Sequence, residues 1–368
     1  MAAPPLTSIE IDGFTSIQSA EVELGRLNVL VGANGSGKSN FIQVFELLGR
    51  IVDENIGLYI GVHGGASALL NASGQRRIRI QVNTPRNSYE AVLVPTARDE
   101  LVFERERLHP GPFDDGTSNM SPVGSGYRET KLGESPALAG ADELLRGCRV
   151  FHFHDASLDA PVTRQVSTAD NLSLRADAGN LAAMLLSFRS SQDTKDQAAY
   201  RQIVGAIRLV APFFDDFVLQ PEPGTDYVRL RWREKSSDAV FFASQMSDGT
   251  LRFVCLTTLL LQPRLPALVV LDETELGLHP YAIVQLAGLL RQASTRSQVV
   301  IATQSVTLMN QFDIEDLIVV ERDDTGSKFR RPNPQRLRAW LADYSLGELW
   351  EKNLIGGQPG STGSVTDV

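Results

Sequence analysis

The sequence predicts an α/β fold with a largely parallel sheet, and three stretches carry that expectation. "LNVLV" (27–31), "ALVVLDE" (267–273) and "SQVVIATQS" (297–305) are nearly continuous apolar runs of the buried-strand kind. The first two are followed by helix-patterned segments, Ser39 to Leu48 and "PYAIVQLAGLLRQAS" (280–294). Strand, loop and helix in alternation argue for parallel pairing.

The other elements follow in chain order. "IEIDGF" alternates as a strand near the start. "RRIRIQV" (76–82) and "SYEAVLVP" (88–95) read as an antiparallel pair joined around Pro85, and "ELVFERERL" (100–108) as a further strand. From His109 to Gly140 the chain is rich in Gly, Pro and Ser with little periodicity, and a long surface loop is expected. "CRVFHF" (148–153) is a strand, "GNLAAMLLSFR" (179–189) and "AAYRQIVGAIRLVAPFF" (198–214) are helices, and "VRLRWRE" (228–234) is one alternating strand. "GTLRFVCLTTLLLQ" (249–262) is a helix with a wide apolar face, and "DLIVVER" (316–322) is a strand. The tail from Gly356 is expected to be disordered. No internal repeat is present, and glycines and prolines interrupt the span up to residue 245, which excludes a long coiled-coil arm.

The chain has 368 residues and is 42% hydrophobic, enough for one large core or two moderate domains. With 21% charged residues, wholesale disorder is not expected. The balance of 35 basic to 44 acidic residues gives a net charge of −9, which argues against a nucleic-acid coat and leaves a local basic groove open. Cys148 and Cys255 have no zinc or disulfide spacing, so a reducing, cytoplasmic setting with both thiols buried is expected. The opening "MAAPPLTSIEIDGF" lacks the pattern of a signal peptide. The apolar runs fall short of the ~20 residues that cross a bilayer, so no membrane partner is expected.

Chemistry concentrates in three motifs. "GANGSGKS" (32–39) fits G-x-x-x-x-G-K-[ST] in full, after a buried strand and at a helix start. Gly32, Gly35 and Gly37 let the backbone curl so that N–H groups of the loop, which also holds Asn34 and Ser36, converge with the helix dipole on an anion. Lys38 is expected to reach the β- and γ-phosphates of ATP and Ser39 to ligate Mg²⁺, with Asn40 next to them. A ligand-free glycine turn is the bland alternative. "ALVVLDE" ends in Asp272, expected to hold Mg²⁺ through water, and Glu273, placed to orient or deprotonate the attacking water. A solvated acidic turn is its alternative. The "SDGT" turn at 247–250 offers a hydroxyl and free N–H groups at a helix start: a second anion site, or a plain N-cap.

"SDGTLR", an apolar helix, "LDETELGLHP" and "ATQS", in that order, resemble the ABC-type ATPases of the RecF/SMC branch. More narrowly the chain resembles the bacterial single-chain predicted ATPases of the AAA/ABC hybrid group, in which "GNLAAML" and "YSLGELWEKNLIGG" also fit. The resemblance covers nearly the whole chain, least at 109–147. It implies an ABC-type P-loop fold: a mixed central sheet with helices on both faces, an antiparallel β subdomain and a helical signature subdomain. The expected segmentation is 1–108 (P-loop lobe with antiparallel strands), 109–147 (irregular or flexible insertion), 148–245 (middle strand and helical subdomain), 246–355 (signature, acid pair and switch strand) and 356–368 (disordered tail).

In the resembled family the signature caps the γ-phosphate held by the other subunit, which assigns Ser247, Asp248 and Gly249 to a homodimeric site. Two departures stand out. Thr274 replaces the family's usual proline, and Gln304-Ser305 occupies the place of the transporters' switch histidine. Gln304 is then a γ-phosphate sensor or a strand-end polar residue. Gln81 is a Q-loop candidate for the metal or a solvent-facing strand residue. His152, His154 and Asp155 resemble a metal pair without a third ligand, and His279 falls in a loop that crosses the family's dimer interface. The arginines of "RRIRI" and "VRLRWRE" line either a solvated face or a DNA-contacting one.

The resemblance therefore implies an ATP-gated dimer acting in DNA metabolism or anti-phage defence. No TOPRIM-type or HNH-type nuclease pattern is present, so a separate nuclease or effector is expected. A transporter nucleotide-binding domain and a slow ATP-sensing scaffold of a toxin or effector are the rivals.

Overall fold

A computed structural model describes residues 5–74, 76–110, 121–132, 145, 148–155 and 157–357. The chain divides into two interleaved units. Met1–Val150, Pro266–Asp272 and Ser297–Val368 form the first, and Phe151–Leu265 with Glu273–Arg296 the second.

Two kinds of apolar pattern build the first unit. Alternation sets one face of β1 (Ser8–Phe14) and β4 (Ile78–Asn83) into the core, and an antiparallel sheet joins them to β2 (Ile17–Glu23), to β5 (Asn87–Pro95), which is buried continuously from Ser88 to Leu93, and to β6 (Leu101–Pro110) and β7 (Ser121–Gly124), in the order β2-β1-β4-β5-β6-β7. Continuous apolar runs make the second sheet. Its parallel centre is β16 (Leu317–Asp323), β3 (Leu27–Val31), β15 (Gln298–Thr303) and β14 (Leu268–Asp272). The antiparallel β17 (Gly326–Arg330) and the short β8 (Cys148–Phe151) close its edges, giving the order β17-β16-β3-β15-β14-β8.

Helix α1 (Lys38–Val52) repeats apolar residues every three or four positions. Phe41, Val44, Phe45, Leu48 and Ile51 join one continuous core with Ile9, Ile11 and Ile80 of the first sheet and Val270, Val300 and Ile318 of the second. Each such side chain contributes about 1.5–3 kcal/mol on burial, which fixes the position of β3 and of the loop after it. The short α2 (Ile56–Val62) and α3 (Ala66–Leu69) extend the same core.

The second unit is mainly helical, with α4 (Leu181–Ser190), α5 (Thr194–Val210), α6 (Asp248–Leu261) and α7 (Pro280–Ser294). Helix α6 is buried on every side from Leu251 to Leu261, as a central helix must be, and it packs against α4, α5 and α7. A small sheet of β10 (Phe214–Phe217), β12 (Arg231–Glu234) and β13 (Val240–Phe242), and a ribbon of β9 (Val166–Ser167) with β11 (Tyr227–Val228), complete it. The C-terminal part of the first unit adds α8 (Val306–Met309), α9 (Pro334–Asp343) and α10 (Leu346–Glu351).

Three expectations are corrected. "VRLRWRE" is not one strand: Val228 pairs with Val166, whereas Trp232 pairs with Phe241 in another sheet. Second, the segment 109–147 is not irregular throughout. Residues 111–120, 133–144, 146 and 147 lie outside the described residues, but Ser121–Gly124 extends the antiparallel sheet. Just beyond it the hydroxyls of Tyr127 and Thr130 donate to the buried Glu106 at 2.8 and 2.6 Å, together with Tyr89 at 2.7 Å. A buried carboxylate requires several donors, and that requirement orders this stretch. Third, Gly356 and Gly357 of the expected tail are packed: Gly357 donates to Glu321 at 2.8 Å. Residues 358–368 lie outside the described residues.

Candidate functional site

Sheet register brings the first two motifs to one edge. In the parallel pairing Thr303 lies opposite Val31, and Asp272 opposite Ala302. The phosphate-loop candidate, Asp272 and Gln304 therefore all leave the carboxyl end of the sheet at the same level. That end is where open α/β sheets bind ligands. Strands β3 and β14 are separated only by β15, so their ends lie about 10 Å apart.

The loop from Gly32 to Gly37 carries Asn34 and Gly35 exposed at its tip and Ser36 buried at its base. Gly37 has φ +112°, a conformation that side chains rarely adopt, and it opens α1 without a side-chain cap. No side chain caps the N-terminal turn of α1, and an uncapped helix start suits an anion. Lys38 is buried, and its ammonium donates to the carbonyls of Gly32 and Ala33 at 2.7 and 2.9 Å. Ser39 is exposed at the helix start, and the Asn40 amide donates to Ser16 Oγ at 2.6 Å.

One carboxylate oxygen of Asp272, Oδ1, is buried with no hydrogen-bond partner. A buried orphan oxygen is costly unless a cation or its water completes it. With Ser39 the donor set is all oxygen, which suits Mg²⁺. Glu273, next in the chain, has φ +44°, the left-handed region that is strained for a residue with a Cβ. Such strain is concentrated at functional positions.

In the second unit, Ser247 caps α6 by accepting from Thr250 N at 3.2 Å, and Ser247 and Asp248 are exposed. A Cβ on Gly249 would collide with the carbonyl of Gly277, so only glycine lets these two loops touch. The Arg252 guanidinium is buried and fixes that neighbourhood, donating to Phe153 O at 2.9 Å, to His154 O at 3.1 Å and to Leu276 O. Burial pulls it below the ordinary arginine range. His279 caps α7 by accepting from Tyr281 N at 3.3 Å, and its loop exposes Leu276. Thr274 is buried.

The remaining candidates are placed as follows. Ser305 caps α8, accepting from Leu308 N at 3.2 Å, and Gln304 immediately precedes it. Gln81 accepts from Arg79 and donates to Asn83 at 3.0 Å, so its amide is engaged along β4 rather than with a P-loop residue. Arg79 also binds Glu10 at 2.9 Å, Asp12 at 3.2 Å and Glu90 at 2.8 Å. Burial alone would raise the Glu90 carboxyl, but Arg79 and Arg105 hold it below the usual carboxylate range. Arg233 pairs with Asp215 at 2.8 Å. The rings of His152 and His154 are 6.2 Å apart, and among the described residues no group of three His, Cys, Asp or Glu is arranged to hold a metal. Both cysteines are free and buried, which pushes each thiol up to about 12. Among the described residues no helix is long and apolar enough to cross a membrane.

Two residues beside the loop carried no signal in the sequence. Ser16, in the β1–β2 turn, and Ser327, at the start of β17, are buried against the Ser36–Gly37 peptide. Each is a single serine in a hairpin, and no local pattern marks it.

A family model described as "AAA domain, putative AbiEii toxin, Type IV TA system" matches residues 27–117 and 138–310. No curated protein sequence matches the chain. Among solved structures, it is similar to the SMC head bound to the C-winged helix domain of ScpA, with 17% identity, TM-score 0.59, and 91% of this chain and 100% of that one covered. It is also similar to the SMC head domain with an extended coiled coil bound to the C-terminal domain of ScpA derived from Pyrococcus furiosus, with 14% identity, TM-score 0.54, and 92% and 99% covered. The fold is the α/β, ABC-type P-loop architecture of these heads.

Proposed function

The chain belongs to this AAA-domain family, and from that premise we propose that it is an ATP-hydrolysing, ABC-type switch that dimerises on ATP. The observation that carries the reading is the sheet register, which sets the P-loop, Asp272 and Gln304 at one edge.

The proposed site is composite. N–H groups of Gly35 to Ser39 cradle the β- and γ-phosphates, and Lys38 exchanges loop carbonyls for phosphate oxygens. Ser39 and Asp272 would hold Mg²⁺, which when bound neutralises charge on the phosphates. Glu273 orients or deprotonates the attacking water, and Gln304 contacts the γ-phosphate. Ser247, Asp248 and Gly249 of a second copy close the site over that phosphate. ATP thus favours the closed dimer, and hydrolysis releases it.

The process proposed is DNA metabolism or anti-phage defence, with a separate nuclease or effector doing the work. That step rests on family analogy. Turnover is expected to rise several-fold with duplex DNA at low salt, measured by phosphate release. Turnover indifferent to DNA and RNA would contradict it. A second reading, a slow ATP-sensing scaffold controlling a toxin or effector, is favoured by the toxin–antitoxin wording of the family description and by the pairing of Arg79 and Arg233 with acids. It predicts turnover that responds to a protein partner and not to nucleic acid.

A further inference from the structure

The P-loop does not stand alone: the β16–β17 hairpin lies along its length. A Cβ on Gly32 would collide with the carbonyl of Val320, and a Cβ on Gly37 with the hydroxyl of Ser327. Between these points Arg322 Nη1 reaches Gly35 O at 3.4 Å. On the other shoulder Ala33 N–H donates to Gly357 O at 2.8 Å, and Gly357 N–H donates to Glu321 at 2.8 Å.

One hydrogen-bond chain in this clamp has a fixed direction. Asn40 Nδ2 donates to Ser16 Oγ at 2.6 Å, and Ser327 Oγ donates to Ser36 O at 2.7 Å. The Ser16 and Ser327 hydroxyls are 2.7 Å apart. Since the Ser327 proton is committed to Ser36, the proton between the two hydroxyls belongs to Ser16. The chain therefore runs Asn40, Ser16, Ser327, Ser36 carbonyl. Ser16, Ser36 and Ser327 are buried, so water does not compete.

The end of the chain matters because a trans peptide is planar, with C=O and N–H pointing opposite ways. Holding Ser36 O against Ser327 turns the Gly37 N–H away from the hairpin, toward the side where an anion would sit. Gly37 has no Cβ to resist rotation, so the loop by itself does not fix this peptide.

We propose that Ser327 is a positioning residue for the phosphate site, acting with Ser16 to orient the Ser36–Gly37 peptide before nucleotide arrives. This rests on the proposed function, because it assigns the loop a nucleotide phosphate. Ser327 touches no nucleotide: it acts through Ser36, and preorganisation raises affinity by removing the ordering required on binding.

The test is equilibrium binding of a fluorescent ATP analogue with Mg²⁺ to the full chain, at a temperature where every variant is folded. Ser327→Ala and Ser16→Ala are each expected to raise Kd about tenfold, the equivalent of one buried hydrogen bond. The double variant is expected to lose about the same factor and not its square, because both substitutions break one chain. Ser327→Cys, similar in size but a weak donor, is expected to behave as Ser327→Ala. A merely structural serine would lower the melting temperature without changing Kd at that temperature. Unchanged Kd in both single variants, with tight binding to the parent, overturns the proposal and leaves the P-loop reading intact. A parent protein that binds no nucleotide, or a Lys38→Ala variant that binds as tightly as the parent, overturns both.

Discussion

Arginine in place of Ser247 is expected to reduce ATP hydrolysis by about 100-fold or more while leaving ATP affinity within about twofold. The serine side chain is exposed, and its hydrogen bonds are to Thr250 in its own turn. In the proposed dimer that turn faces the γ-phosphate of the other copy. A guanidinium on a long stem would hold the two copies apart and remove N–H donors from the transition state. Removing one such donor from a transition-state site reduces turnover about 10²–10³-fold. Losing the cap also lowers stability by roughly 0.5–2 kcal/mol, so a modest fall in melting temperature is expected. Phosphate release and nucleotide binding, measured on the same preparation, separate the effects. Full turnover in the Ser247→Arg protein would mean that the signature does not complete the site.

Replacing Lys38 with alanine is expected to weaken ATP binding by about 10–100-fold and to bring hydrolysis to background. The ammonium is buried and is held by the carbonyls of Gly32 and Ala33. Phosphate oxygens are stronger partners than carbonyls, so the exchange favours nucleotide by a charge-assisted bond worth about 1.5–3 kcal/mol. Lys38→Arg is not expected to rescue, because a planar fork does not fit a point-charge position this enclosed. Isothermal titration with ATP and ADP checks both variants. Comparable affinity in Lys38→Ala would move the nucleotide away from this loop.

Much of this site was legible because its signals are local. Continuous apolar runs marked β3, β14 and β15, helix-patterned segments marked α1 and α7, a wide apolar face marked α6, and the glycine-lysine pattern marked the loop between two of these elements. Asp272 was legible as the polar residue that ends a buried strand. What was hidden depends on partners distant in sequence. "VRLRWRE" has uniform alternation, yet Val228 and Trp232 pair in different sheets. Glu106 looks like any charge in "FERERL" until Tyr89, Tyr127 and Thr130 converge on it. Alternation left Gln81 open between two roles, and only the pairing of β1 with β4 sets it among Glu10, Arg79 and Asn83. Ser327 lies 291 residues from Ser36, a separation at which periodicity carries no information.

The most direct test of the composite site is the mass in solution of the Glu273→Gln protein, by light scattering, with and without ATP·Mg²⁺. The substitution keeps the shape of the side chain and removes its basicity, so nucleotide binds and hydrolysis stalls. The account predicts a monomer that doubles in mass only when ATP·Mg²⁺ is present and returns to monomer when ATP is exchanged for ADP. A mass that is the same with and without ATP, in protein shown to bind the nucleotide, would contradict it.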